Sequence, residues 1–189
     1  MISKKIVVVV GTRPNFIKIT QLEKEFKKYP NKFDYVLIHT GQHFDQKMSS
    51  VFFDQLQLKK PTYSLGVKEK TRELNIEKII DSIGCVLESE EPDLIIVVGD
   101  VDSTYAAAKA AKKRNIKIAH LESGLRSFDN EMPEEVNRIA VDKITDLFFV
   151  TEESGLINLM NEGVGSEKIH FVGNLSLIHI SEPTRQEAI

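Results

Sequence analysis

Five consecutive β-branched residues, Ile6, Val7, Val8, Val9 and Val10, run straight into the turn Gly11-Thr12-Arg13-Pro14. An apolar side chain at every position, rather than at every second one, marks a strand buried on both faces, as in the centre of a parallel sheet. Pro14 suits the first position of a helix, so the chain passes directly from strand to helix. A helix start beside the carboxyl end of a strand attracts anions, and Arg13 and Lys18 add two cations at that place. A phosphate-bearing small molecule is the natural guest, although the same two residues also fit a carboxylate cap and a solvated surface lysine.

Strand-like apolar runs recur at 35–39, 94–98, 116–120, 147–150 and 169–172, mostly with helical patterns between them. That alternation predicts the α/β class, with a parallel sheet flanked by helices. One helix carries Ile76, Ile79, Ile80, Ile83, Val86 and Leu87 on a single face and is stopped by Pro92. A second starts near Asp102 and Ser103, both good N-cap types, and its run of alanines from Ala106 to Ala111 lets it lie close to the sheet. A third starts at Pro133 with Glu134 and Glu135 in its first turn, and Val136, Ile139, Ala140 and Ile144 form its expected core face.

With 189 residues, 41% of them hydrophobic, the chain can build the core of one domain, or of one domain and an incomplete second. Its 25 basic and 28 acidic residues are well mixed and leave a net charge of −3. No nucleic-acid or anionic-membrane footprint results, so the expected partners are small molecules. Cys85, the one cysteine, cannot form an internal disulfide; its helical setting predicts a packed apolar group and fits a reducing cytoplasm. Lys4 and Lys5 precede an apolar run that ends at Gly11, too short for a signal peptide, and no membrane-length stretch follows. The histidines show no metal-ligand spacing, so no bound metal is expected. The glycine-rich phosphate motifs of dinucleotide dehydrogenases and P-loop enzymes are absent, as is a nucleophile elbow.

Ligands of open α/β sheets sit at the carboxyl ends of strands. Four such ends carry polar clusters: Arg13 and Lys18; Thr40, Gly41, Gln42 and His43; Gly99 and Asp100; Glu122, Ser123, Gly124 and Arg126. Their convergence brings carboxylates and cations together, the equipment for moving protons beside a phosphate leaving group. Asp100 precedes a helix start and reads as a base, an acceptor or a cap. Glu122 lies at a strand end before Ser123 and Gly124, where a purely structural role is harder to find. Glu134 and Glu135 are favoured by the helix dipole whatever else they do, and Arg126 and Arg138 could pair with these acids or grip phosphate.

The motifs GTRPNFIK at 11–18, TGQHFD at 40–45, Gly99-Asp100, HLESGLRSFD at 120–129 and MPEEVNR at 132–138 occur together in this order. In this the chain resembles the non-hydrolysing UDP-N-acetylglucosamine 2-epimerases. The resemblance implies that residues 1–174 are the Rossmann-like N-terminal half of a GT-B-like two-domain enzyme whose UDP-binding domain is absent here. It also implies inversion at C2 of UDP-N-acetylglucosamine, giving UDP-N-acetylmannosamine, by elimination and re-addition of UDP without a cofactor. Asp100, Glu122 and Glu134 match the catalytic carboxylates, and Arg13, Lys18, Gln42, His43, Arg126 and Arg138 fall at substrate-side positions. A cytoplasmic homodimer is expected of the full-length enzyme, and this chain alone is expected to be inactive. Rival expectations are a 2-epimerase of another UDP-2-acetamido sugar, a hydrolysing epimerase releasing N-acetylmannosamine, a GT-B glycosyltransferase and a non-catalytic sugar-nucleotide binder. The family's usual GTRPEAIK is GTRPNFIK here, placing Asn15 where an acid is common, and Asp45 replaces a glutamine tied to allosteric activation. Residues 175–189 begin LSLIHISEPTR, which looks like a translated sequencing adapter and is set aside as non-native; its period-2 pattern also suits an edge strand.

Overall fold

The β-branched run forms β1 (Lys4–Val10), buried from Ile6 onward. Its alternate side chains serve two separate cores: Val7 and Val9 enter one, and Ile6, Val8 and Val10 the other. The computed structural model describes residues 3–41 and 58–173. In them β1, β2 (Phe33–His39), β3 (Tyr63–Ser64), β4 (Leu94–Val98), β5 (Lys117–Leu121), β6 (Leu147–Val150) and β7 (Ile169–Phe171) form one sheet. Its order is β3-β2-β1-β4-β5-β6-β7, and every pairing is parallel.

The order reverses direction between β1 and β4. Right-handed crossovers then place helices on opposite faces of the two halves. On one face α1 (Arg13–Lys28) packs Phe16 and Ile19 against Val8, Leu37 and Ile96. On the other lie α2 (Arg72–Glu90), α3 (Asp102–Lys112) and α4 (Pro133–Asp142), covering Val7, Val9, Ile95, Val97 and Ile118. Finally α5 (Glu153–Asn161) seats Leu159 on Phe148 and Val150. Among the described residues, the α1-side face of β4 to β6 bears an apolar hollow of about 190 Å³ between Leu22, Ile96, Leu121 and Phe149.

Several local expectations are corrected. Helix α1 begins at Arg13 with Pro14 second, and α3 is capped by the backbone of Val101, with Ser103 buried rather than capping. Strand β5 lies one residue later than expected, and β3 is too short to leave a pattern. In α4 the expected core face is only partly inward: Ile144 packs against the core and Ile139 and Ala140 are half-buried, but Val136 is 49% exposed, whereas Glu135, Asn137, Val141 and Asp142 are buried. Polar residues can turn inward there because each meets a hydrogen-bond partner, as shown below. Cys85 is exposed rather than packed. The five alanines of α3 behave as expected, all fully buried against neighbouring elements.

The loop after β5 depends on one close approach. Gly124 has φ 78°, and a Cβ there would lie 2.3 Å from the Gly155 carbonyl oxygen and 2.8 Å from Leu159 Cγ. Gly124→Ala is therefore expected to destabilise the chain by at least about 2 kcal/mol, measured by urea denaturation. A change below about 0.5 kcal/mol would show that the loop yields freely.

Candidate active site

The end of β1 is closed by Asn15. Its Oδ1 accepts from the Gly11 amide at 3.2 Å, the Thr12 amide at 3.0 Å and the Thr12 hydroxyl at 3.0 Å, while its Nδ2 donates to the Val98 carbonyl at 3.2 Å. Two amides of the turn before α1 are thus engaged by the protein itself. A carboxylate at this position could not donate to Val98; the carboxamide ties β1 to β4 in a way that glutamate could not.

One turn along α1, Lys18 reaches across the end of β4 and forms an ion pair with Glu122, both side chains being 18% exposed. Gly99 lies beneath them: a Cβ on it would stand 3.5 Å from Asn15 Nδ2, 3.6 Å from Glu122 Oε2 and 3.7 Å from Lys18 Nζ. Three strand ends therefore meet at the point where the sheet order reverses. Glu122 has φ 69°, a left-handed conformation that costs a non-glycine residue about 1–3 kcal/mol. It is held there because the amides of Glu122 and Ser123 both donate to the Phe149 carbonyl, at 3.0 and 3.3 Å.

Asp100 is gripped by Arg138, whose Nε and Nη2 donate to Asp100 Oδ2 at 3.0 and 2.6 Å while its Nη1 donates to Glu135 Oε2 at 2.7 Å. Glu135 also accepts from the amides of Ser127 and Phe128 at 3.0 and 3.1 Å. Burial works against its charge, but those amides and Arg138 hold its carboxyl below the usual range. Glu135 therefore pins the 125–132 loop, and its neighbour Glu134 lies on the exposed side of the same turn, near enough to Arg72 for its charge to act there. Asn137 donates from Nδ2 to the Asp100 carbonyl and to Asp102 Oδ1, both at 2.9 Å, and Arg72 grips Asp102 through two nitrogens.

Arg126 lies apart from this rim. Its side chain is 2% exposed and donates to Asp142 Oδ2 at 2.8 Å, to Glu162 at 2.8 and 2.7 Å, and to the Leu125 carbonyl at 2.7 Å. Asp142 also accepts from the Gly124 amide at 3.0 Å, and its Oδ1 lies 2.6 Å from His120 Nδ1. Burial raises the cost of charging Asp142, yet His120 and Arg126 outweigh it and hold the carboxyl below its ordinary value. Arg13 is exposed at the first position of α1, and Gln42 and His43 fall outside the described residues. Sequence reasoning missed Asn137 and Asp142 as parts of the site's support. Neither carries a local signal, because their partners lie on distant segments.

Carboxylates and cations thus face one another at the switch point of a Rossmann-like sheet, the place where ligands of open α/β sheets bind. The chain belongs to the UDP-N-acetylglucosamine 2-epimerase family, whose sequence pattern matches residues 24–188. A UDP-N-acetylglucosamine 2-epimerase homolog of Methanococcus maripaludis is 45% identical over 162 residues, covering 86% of this chain and 44% of the relative. The UDP-2,3-diacetamido-2,3-dideoxy-D-glucuronate 2-epimerase of Pseudomonas aeruginosa is 41% identical, covering 84% of this chain and 45% of the relative. The crystal structure of the Methanocaldococcus jannaschii UDP-GlcNAc 2-epimerase, in complex with UDP-GlcNAc and UDP, superposes with a TM-score of 0.85 at 39% identity, over 90% of this chain and 46% of that one. The chain thus spans about half the length of the relatives it matches, and the solved epimerases share a GT-B-like fold. Among the described residues no helix is long and apolar enough to cross a membrane.

The buried titratable groups make stability pH-dependent with a definite sign. His39 is buried, and desolvation lowers its pKa from 6.5 to about 4 despite an opposing hydrogen bond with Gly11. The unfolded chain then binds the proton more readily, so stability falls as pH drops from 6.5 toward 4; Asp142 and Glu135, both depressed, extend the loss below their ordinary values of 3.8 and 4.5. The melting temperature should fall steadily between pH 7 and 4, with His39 contributing up to about 3 kcal/mol. A His39→Leu variant should flatten the upper part of that curve; an unchanged slope would remove His39 as its source.

Proposed function

We propose that the complete enzyme inverts C2 of UDP-N-acetylglucosamine, giving UDP-N-acetylmannosamine, by elimination and re-addition of UDP. The observation that carries this is the Lys18–Glu122 pair standing over Gly99, the residue before Asp100, where the ends of β4 and β5 meet α1. The C2 hydrogen of the sugar is not next to a carbonyl, so a base can remove it only as UDP departs. The C2–H electrons form the C1–C2 double bond, and the C1–O bond breaks with its electron pair leaving on UDP. Return of a proton to the opposite face of C2, with UDP rejoining C1, completes an inversion that is redox-neutral and uses no cofactor.

Asp100, Glu122 and Glu134 are assigned to proton handling, and Arg13 and Lys18 to the diphosphate. An arriving diphosphate competes with Glu122 for Lys18, which frees the carboxylate when substrate is present. Arg138 is assigned to orienting Asp100, with Gln42 and His43 as further substrate contacts. Arg126 is recast from a substrate contact to a buried strut, because its donors already meet Asp142, Glu162 and Leu125. The relatives are about twice as long, which supports placing the uridine contacts in a separate domain after residue 174. A cytoplasmic homodimer is proposed for the whole enzyme. The 41% identity to the diacetamido-glucuronate epimerase makes its own UDP-sugar the second substrate to try.

In D2O the complete enzyme should place deuterium at C2 while forming UDP-N-acetylmannosamine, followed by NMR. Glu122→Gln and Asp100→Asn should each lower kcat by about 100-fold or more. Release of free N-acetylmannosamine, transfer of the sugar to an acceptor, or a fully active Glu122→Gln would contradict this assignment. Turnover of the diacetamido-glucuronate alone would move the substrate, not the chemistry.

A further inference from the structure

The turn that carries Asp100 is held by side chains that the proposed chemistry leaves unused. Three successive carbonyls each accept from a side chain. Val98 accepts from Thr104 Oγ1 at 2.7 Å and Asn15 Nδ2 at 3.2 Å, Gly99 lies 2.8 Å from His120 Nε2, and Asp100 accepts from Asn137 Nδ2 at 2.9 Å. A carbonyl can only accept, so Nε2 of His120 is the donor in this contact. The imidazole is fully buried, and its other nitrogen faces the Asp142 carboxylate at 2.6 Å.

Gly99 needs such a hold. It has φ 68°, and glycine populates left-handed and right-handed backbone with little preference, so the Gly99-Asp100 peptide has no intrinsic reason to stay in one orientation. Rotation of that peptide would move Asp100 and break the Arg138 contact that aims its carboxylate. Asp142 acts on the second carboxylate as well, because the Gly124 amide and Arg126, which both donate to it, follow Glu122 in the chain.

We infer that His120 is a positioning residue for the epimerisation: by gripping the Gly99 carbonyl, with Asp142 fixing its ring and Asn137 holding the next carbonyl, it sets Asp100 relative to Glu122. This rests on the catalytic reading of those two carboxylates. A buried histidine and aspartate that served stability alone would occupy the same volume, but would respond differently to two substitutions. The amide nitrogen of glutamine can reach the place of Nε2 and keep the bond to Gly99. The shorter asparagine reaches only the place of Nδ1, and so keeps a bond to Asp142 while losing Gly99.

The test compares His120→Gln and His120→Asn in the complete enzyme with UDP-N-acetylglucosamine, recording kcat, KM, C2 deuterium exchange and melting temperature. His120→Gln should retain kcat to within about 10-fold. His120→Asn should lose about 100-fold at little-changed KM, although both melt lower than the parent. Equal kcat in the two variants, or losses that simply follow melting temperature, would overturn the positioning role. If neither variant folds, Asn137→Ala reads the same turn: a kcat loss at unchanged KM supports the hold, and parental kcat overturns it. Absence of exchange in the folded parent enzyme would instead remove the catalytic reading and this inference with it.

Discussion

The parallel pairing of β1 with β4 governs the rest of the molecule. It sets Ile6 opposite Leu94 and Val9 opposite Val97, so the two strands run out of the sheet side by side. The chain leaves β1 toward β2 and β4 toward β5, in opposite directions, and the crevice between the departing loops is the one place where α1 and α3 both begin. Asn15 fastens that crevice by accepting from the β1 turn and donating to β4. Lys18 then spans it to meet Glu122 just after β5, a contact between residues 104 apart in sequence.

Around this crevice the charges alternate. Lys18 meets Glu122, Arg138 lies between Asp100 and Glu135, and Asp142 lies between His120 and Arg126. Removing water from a single charge is expensive, and pairing with hydrogen bonds offsets that cost without guaranteeing net stability. What alternation does provide is orientation. Each carboxylate near the crevice is aimed by a cation or an amide, and the left-handed backbone at Glu122 and Gly99 is tolerated because neighbouring groups fix it. Such rigidity suits a reaction in which proton removal and departure of a leaving group must coincide.

Much of this could be read from the residues. Unbroken β-branched runs declare central parallel strands, and glycine, aspartate and glutamate just after them mark the rim of the crevice. The motif order supplied the family and, through it, the carboxylates. What stayed hidden depends on distant partners. Glu135, Asn137 and Asp142 look like the solvent side of α4, yet each is buried because a loop amide, a carbonyl or a histidine from another segment meets it. Val136 has the spacing of an inward residue and lies outward for the same reason. Arg126 resembles a phosphate ligand until Asp142 and Glu162 are seen to enclose it. Hydrophobic periodicity reports burial of apolar groups and is silent when a helix turns a hydrogen-bonded face to the interior.

The most direct measurement is a crystal structure of the complete enzyme with its UDP-sugar bound. The diphosphate should lie against Lys18 and Arg13, with the C1–C2 edge of the sugar facing Glu122 and Asp100 at hydrogen-bonding or near-attack range, about 3–3.5 Å. A sugar ring bound away from these carboxylates, or a uridine base occupying the crevice between β1 and β4, would contradict the assignment of this crevice to the chemistry.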